Sequence, residues 1–319
     1  MEELRNSSLL VIILDTNPIW WGQNITETGS SVCLSQCLNS LMVFANSHLM
    51  LSHYNKLAVI AAHTNKSCFL YPLPKPPTAG NTTTVNDNDT TEGGEENAVK
   101  IPQMGENDGK YELFTEFNEN LKTEIKDLIL NDRLVGELYS DSLVAGAMSM
   151  AMQLDIHRIE KEAPIGENVS SRILVIKGSE DNAAQYMNFM NAVFTAQKQN
   201  TVIDACILDN DSGLLQQACD ITGGMYLKIP QISGLLQYLL WVFLPDPIMR
   251  PKLTLPPKVQ VDYRAACFCH RNLIDVGYVC SVCLSIFCAF NPICSTCQTT
   301  FKFMGPPKIL KKKSKKSAG

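Results

Sequence analysis

The sequence predicts an α/β fold: an open, mostly parallel sheet with helices on both faces, followed by a small cysteine-rich module. Three observations predict it. Residues 9–14 are an unbroken apolar run, Leu-Leu-Val-Ile-Ile-Leu, which suits a strand buried on both faces. Similar runs at 56–62, 172–176 and 202–208 alternate with segments whose apolar residues recur at helical spacing. Seven of the twelve cysteines fall between Cys267 and Cys297.

Taken in order, the first strand ends at Asp15, and Thr16-Asn17-Pro18 breaks it. Residues 31–46 follow as a helix, with Leu34, Cys37, Leu38, Leu41, Met42 and Ala45 on one stripe. Strand 56–62 completes a strand–helix–strand unit. From 73 to 108 Pro, Thr, Asn, Asp, Glu and Gly dominate and little is available to bury, so this stretch reads as a disordered insertion or long surface loop. Helical spacing returns with Phe117, Leu121, Ile125, Leu128 and Ile129. A further helix is expected over 142–160, with Leu143, Ala147, Met148, Ala151 and Leu154 on one side. Ser142, Ser140 or Asp141 would serve as its N-cap. Met148, Met150 and Met152 read as core filling.

Strand 172–176 leads to a helix over 181–199 with Met187, Met190, Val193, Phe194 and Gln197 in register. After strand 202–208, Ser212 caps a short helix over 214–221, which stops at Gly223-Gly224, where left-handed backbone is easy. Asp209 and Asp211 read as further caps for that helix. A fifth strand at 225–229 precedes a closing helix at 234–244, stopped by Pro245 and Pro247. The chain thus divides into an α/β domain over 1–245, a Pro-rich linker at 246–258, a cysteine-rich module at 259–304 and a basic tail at 305–319.

The module carries the clearest chemistry. Cys280-x2-Cys283 and Cys294-x2-Cys297 form two knuckles, each aiming two sulfurs at one point, and together they complete the tetrahedral shell of a structural Zn2+. Four thiolates leave no position for water, so such a site holds structure and does no chemistry. Disulfides would need an oxidising compartment, and Met1-Glu2-Glu3 opens no secretory leader, so the sulfurs are expected to ligate metal. Two zinc arrangements remain open. One is a single-ion ribbon on Cys280, Cys283, Cys294 and Cys297. The other is a two-ion, cross-braced module resembling a RING finger. It uses the same four ligands, and a second ion takes Cys267, Cys269 or His270, and Cys288. Cys33, Cys37, Cys68, Cys206 and Cys219 sit in apolar segments and read as small core residues.

Net charge is −5, and the last fifteen residues alone carry six lysines, which leaves the rest at −11. A body that acidic is a poor general binder of nucleic acid. Contact with DNA is therefore expected only indirectly, or weakly through Lys311-Lys312-Lys313 and Lys315-Lys316. The same run suits a nuclear import signal or a solvated tail. No apolar run reaches the length that spans a bilayer, about 20 residues, so no membrane partner is expected. The Asn-x-Ser/Thr triplets at Asn24, Asn81 and Asn88 read as chance matches. There is no phosphate-binding Gly-rich loop, no G-x-S-x-G elbow and no H-E-x-x-H. None of His48, His53, His63, His157 and His270 has neighbours that argue for a base.

A first strand ending in Asp15, with this order of strands and helices, resembles a von Willebrand factor A domain. That fold often binds Mg2+ through a D-x-S-x-S loop of hard oxygen ligands. Here the loop reads Asp15-Thr16-Asn17-Pro18-Ile19, and isoleucine cannot ligate Mg2+. No Mg2+ is expected at Asp15, which instead reads as hydrogen-bonding nearby loop amides. Long blocks are more specific. Asn17-Pro18-Ile19-Trp20-Trp21-Gly22, Gln185-Tyr186-Met187-Asn188-Phe189-Met190 and the run from Leu214 to Gly224 are three of them. With Cys280-Ser-Val-Cys283-Leu-Ser-Ile-Phe-Cys288 they resemble the 34-kDa-type core subunit family of general transcription and DNA repair factor IIH. That resemblance covers nearly the whole chain outside the 73–108 stretch, and it implies that the altered loop is shared by the family.

The resemblance implies a nuclear, non-enzymatic scaffold acting in nucleotide excision repair and RNA polymerase II initiation. Its implied partners are other subunits of that factor, chiefly a second von Willebrand A/zinc-finger subunit, with the factor's helicases held in turn. Apart from resemblance, Phe268, Tyr278, Val279, Ile286, Phe287 and Phe290 crowd a module too small to bury them all, which marks a partner surface. The competing expectation is an enzyme, a RING-type ubiquitin ligase working through the same module.

Overall fold

The computed structural model describes residues 5–28, 34–72, 110–131, 141–152, 167–182, 185–257, 260–270, 272–283 and 285–301. The 73–108 stretch, the helix expected beyond 152, the 305–319 tail with its lysines, Cys33, His157, Asn81 and Asn88 lie outside the described residues. The chain forms two compact units, Met1–Asp262 and Tyr263–Gly319.

The first unit is built on a six-stranded sheet in the order β3-β2-β1-β4-β5-β6. Its strands are β1 (Arg5–Asp15), β2 (Lys56–Ala62), β3 (Ser67–Tyr71), β4 (Glu167–Lys177), β5 (Val202–Ile207) and β6 (Tyr226–Lys228). All pairings are parallel except β2 with β3. This is the open, mostly parallel sheet that the alternation of strands and helices predicts. The unbroken apolar run of β1 has a simple cause. Leu10, Ile12 and Leu14 face one core while Leu9, Val11 and Ile13 face the other, so neither side of the strand meets water.

One layer contains α1 (Pro18–Thr28), α2 (Leu34–Leu51), α3 (Lys110–Leu130) and α7 (Leu235–Tyr238), the last continuing as a π-helical turn over Leu239–Phe243. The other contains α4 (Val144–Met150), α5 (Tyr186–Lys198) and α6 (Gly213–Thr222). Among the described residues no helix is long and apolar enough to cross a membrane.

Several local expectations change. Thr16-Asn17-Pro18 starts a helix as well as ending a strand: Asn17 Oδ1 accepts from the N–H of Ile19 at 3.0 Å, and Pro18 takes the first helical position, where a missing N–H costs nothing. Ser142 does not cap α4. The N-cap position is Leu143, with no side-chain bond, because the Ser142 hydroxyl donates to Asp15 instead. Asp209 and Asp211 do not cap α6. Ser212 Oγ takes that role, accepting from the Leu215 N–H at 3.2 Å, and Asp211 accepts from the Tyr226 hydroxyl at 2.9 Å.

The Pro-rich stretch after α7 is fastened at several points. Buried Arg172 on β4 donates to the carbonyls of Phe243, Leu244 and Pro245, at 2.7, 3.1 and 3.1 Å, and so caps the last helix. Arg250 forks onto both carboxylate oxygens of buried Asp204 on β5, and Gln217 donates to the Asp262 carbonyl at 2.7 Å.

Among its described residues the second unit has two short hairpins, β7 (Ala265–Ala266) with β8 (Leu273–Ile274) and β9 (Tyr278–Val279) with β10 (Ile286–Phe287), followed by an Ile293–Thr300 bridge.

Candidate metal centres

Each cysteine knuckle is closed by the same backbone bond. The N–H of the first cysteine donates to the carbonyl five residues on: Cys267 to Asn272, Cys280 to Ser285 and Cys294 to Thr299, each at 2.9 Å. The turn this makes is tight enough that Gln298, a non-glycine, sits at φ 57° in the left-handed region. Gly277, between β8 and β9, has no room for a side chain: a Cβ there would lie 2.7 Å from Ile274 Cδ1 and 2.9 Å from Ile286 Cγ2.

These turns bring eight ligand-type side chains into two groups. Cys280, Cys283, Cys294 and Cys297 form one, and Cys267, Cys269, His270 and Cys288 the other. Within each group the ligand atoms lie within 4.8 Å of one another, so both could hold a metal ion. Cys280 Sγ and Cys297 Sγ are 3.7 Å apart, Cys283 Sγ and Cys294 Sγ 3.5 Å. Those lengths fit the edges of a tetrahedron around an ion at about 2.3 Å, and are far longer than the S–S bond of about 2.05 Å. In the second group Cys269 Sγ and Cys288 Sγ are 3.3 Å apart, and His270 Nδ1 is 3.2 Å from Cys288 Sγ. The groups interleave along the chain, first knuckle with Cys288 and second knuckle with third. The sequence left Cys269 and His270 as alternatives; the structure gathers both.

The surroundings of the two groups differ. Ser285 Oγ lies 3.2 Å from Cys283 Sγ, and Thr299 Oγ1 lies 3.1 Å from Cys297 Sγ. The Ser285 hydroxyl, with its N–H, pulls the Cys283 thiol down to about 6, and Thr299 lowers Cys297 in the same way. Both therefore favour the thiolate that a metal needs. Sequence reading missed these two hydroxyls, although a Ser or Thr two residues after the last cysteine of the second and third knuckles was visible. Phe287 is buried against this group, with Phe301 packed beside it, so sulfur atoms make up most of the module's small core.

The strand-end carboxylate in the first unit does not fit a metal. Asp15 is buried. Its Oδ1 accepts from the Asn17 N–H at 3.1 Å and the Ser142 hydroxyl at 2.6 Å. Its Oδ2 accepts from the N–H groups of Gly178 and Ser179, at 3.3 and 2.9 Å, and from the Ser179 hydroxyl at 2.5 Å. Five donors occupy the lone pairs that a Mg2+ would use. Trp20 closes the place from above: a Cβ on Gly178 would lie 2.4 Å from its ring. The expected bonds to loop amides are present, and the two serine hydroxyls add to them.

The family described as transcription factor Tfb4 matches residues 7–298. The general transcription and DNA repair factor IIH subunit tfb4 of Schizosaccharomyces pombe is 36% identical over 294 residues, covering 92% of this chain and 89% of that protein. The subunit TFB4 of Arabidopsis thaliana is 36% identical over 296 residues, with the same shares covered. Among solved structures, the crystal structure of the TFIIH p34 N-terminal domain superposes with a TM-score of 0.56 at 28% identity. It covers 73% of this chain and 96% of that one.

Proposed function

Since the chain belongs to the transcription factor Tfb4 family, we propose that it is a non-catalytic subunit of general transcription and DNA repair factor IIH that holds partner subunits together in the nucleus. In this reading it serves nucleotide excision repair and RNA polymerase II initiation. Its zinc module is the partner surface, and the second von Willebrand A/zinc-finger subunit is the chief partner. Zn2+ occupies both sulfur-rich centres and supplies structure only. The chain's own residues do the rest: the knuckles fix the ligands, and the hairpins between them present side chains.

The observation that carries the reading is the module's surface. Phe268, Val276, Tyr278, Val279, Val282 and Ile293 are exposed on a unit whose core, among the described residues, is little more than Phe287, Phe301 and cysteine sulfurs. A patch of that kind marks a docking surface for an apolar partner face. A pull-down of the tagged chain from nuclear extract, washed at high salt, tests it. Partner subunits of the factor should be retained in fixed ratio by the natural chain and lost with Cys280→Ser. Tyr278→Ser with Val279→Ser should keep the zinc and still lose the partners. Normal assembly by the surface variant would overturn the reading.

The interleaved order of the two centres favours one alternative, a RING-type ubiquitin ligase. Autoubiquitylation products with a panel of conjugating enzymes would support it in place of the scaffold.

A further inference from the structure

We propose that the two centres have opposite redox character. The centre at Cys267, Cys269, His270 and Cys288 is a labile zinc site that discharges its ion by forming a Cys269–Cys288 disulfide. The centre at Cys280, Cys283, Cys294 and Cys297 keeps its ion under the same conditions. This rests on the two-zinc reading above and adds to it.

Three differences between the centres lead to this. The first is access. Cys267 is buried and Cys288 half-buried, but Cys269 and His270 are exposed, whereas in the other centre Cys280 and Cys294 are buried, Cys283 and Cys297 half-buried, and no ligand-type side chain is exposed. Oxidants reach sulfur in proportion to exposure. The second is hydrogen bonding. Cys283 and Cys297 each have a hydroxyl within about 3.2 Å, from Ser285 and Thr299. On a sulfur that the ion already holds as a thiolate, such a bond engages a lone pair and lowers the intrinsic nucleophilicity, as a lower pKa does, while holding the ligand in place. Among the described residues neither Cys269 nor Cys288 has a hydroxyl neighbour of this kind. The third is proximity. Cys269 Sγ and Cys288 Sγ are 3.3 Å apart, closer than either sulfur pair measured in the other centre. Closing to a bond of about 2.05 Å is a short movement for two side chains at the surface.

With a peroxide as oxidant the chemistry balances. The Cys269 thiolate attacks one peroxide oxygen, the O–O bond breaks, and a sulfenic acid and hydroxide result. The Cys288 thiolate then attacks the sulfenic sulfur, forms the S–S bond and expels a second hydroxide. Two electrons pass from the sulfurs to the peroxide. The Zn2+ loses two of its four ligands and leaves.

The test uses the full chain, purified with its metal and treated with limiting hydrogen peroxide. Zinc content is measured first, released zinc is followed with a chromogenic chelator, and disulfides are mapped by mass spectrometry. The protein should start with two ions. One should leave roughly tenfold faster than the other, together with a Cys269–Cys288 crosslink. Ser285→Ala with Thr299→Ala should speed the slow phase and leave the fast one unchanged. Two ions leaving in one phase, or a first crosslink among Cys280, Cys283, Cys294 and Cys297, would overturn the inference and leave the two-zinc reading standing. Fewer than two ions at the start would overturn both.

Discussion

Arg172 and His48 show how one buried charge dictates the state of its neighbour. The Arg172 guanidinium is always protonated, so at 3.4 Å from His48 Nδ1 it must donate, and the imidazole proton sits on Nε2. Burial, and then the Arg172 charge, push the His48 pKa down to about 3. The unfolded chain takes up a proton near pH 6.5, which the folded one refuses. The folded state therefore loses stability as pH falls from about 6.5 towards 3, by about 1.4 kcal/mol per pH unit from this group. Urea unfolding at pH 7 and pH 5 should show a drop of about 2 kcal/mol that His48→Gln removes. If the variant keeps the whole drop, the histidine is not its source. Nothing in the sequence announces this pair. Arg172 reads there as the first residue of a strand, because its partners are carbonyls some 70 residues away, and carbonyls carry no sequence signature.

At the scale of elements, α6 ends on two glycines that the sequence treats alike and the structure does not. Gly223 has φ 74° with open space around it, so Gly223→Ala meets only the left-handed penalty, about 1 kcal/mol. Gly224 packs on β5, where a Cβ would lie 1.9 Å from the Ile203 carbonyl oxygen. Gly224→Ala must push the helix end off the strand and should cost about 3 kcal/mol or more. Denaturant midpoints for the two variants check the order, and equal losses would refute it. The same contrast explains what was legible. β1, β2 and β5, and helices α2 and α6, were readable because period and caps are local. α1 was missed because a breaker and an N-cap use the same residues, Asn17 and Pro18. β3 was missed because its apolar run, Cys68 to Tyr71, is only four residues long and leads straight into Pro72 and the Pro-rich stretch. Ser142 misled because its hydroxyl serves Asp15, 127 residues away in sequence, and leaves its own helix uncapped.

On the scale of the whole chain, the two units are stabilised by different means. Met1–Asp262 has two extensive apolar cores, one on each face of the sheet. Tyr263–Gly319 has Phe287, Phe301 and ligand sulfurs. The grouping of the cysteines could be read from spacing, since each knuckle is local and the second and third gather four sulfurs in one place. Which aromatics end up inside could not, because Phe287 and Phe290 look alike until the hairpin places them. So small a core cannot offset its own chain entropy, and the zinc proposed above would contribute on the order of 10 kcal/mol. Stripping the metal with a strong chelator should therefore unfold the second unit alone. Hydrogen exchange should become fast at β9, β10 and the Cys294–Thr299 turn, while β1, β4 and β5 keep their protection. Returning Zn2+ should restore it. Loss of protection in both units together would show that the sheet depends on the metal. Unchanged protection everywhere would show that the second unit folds without it.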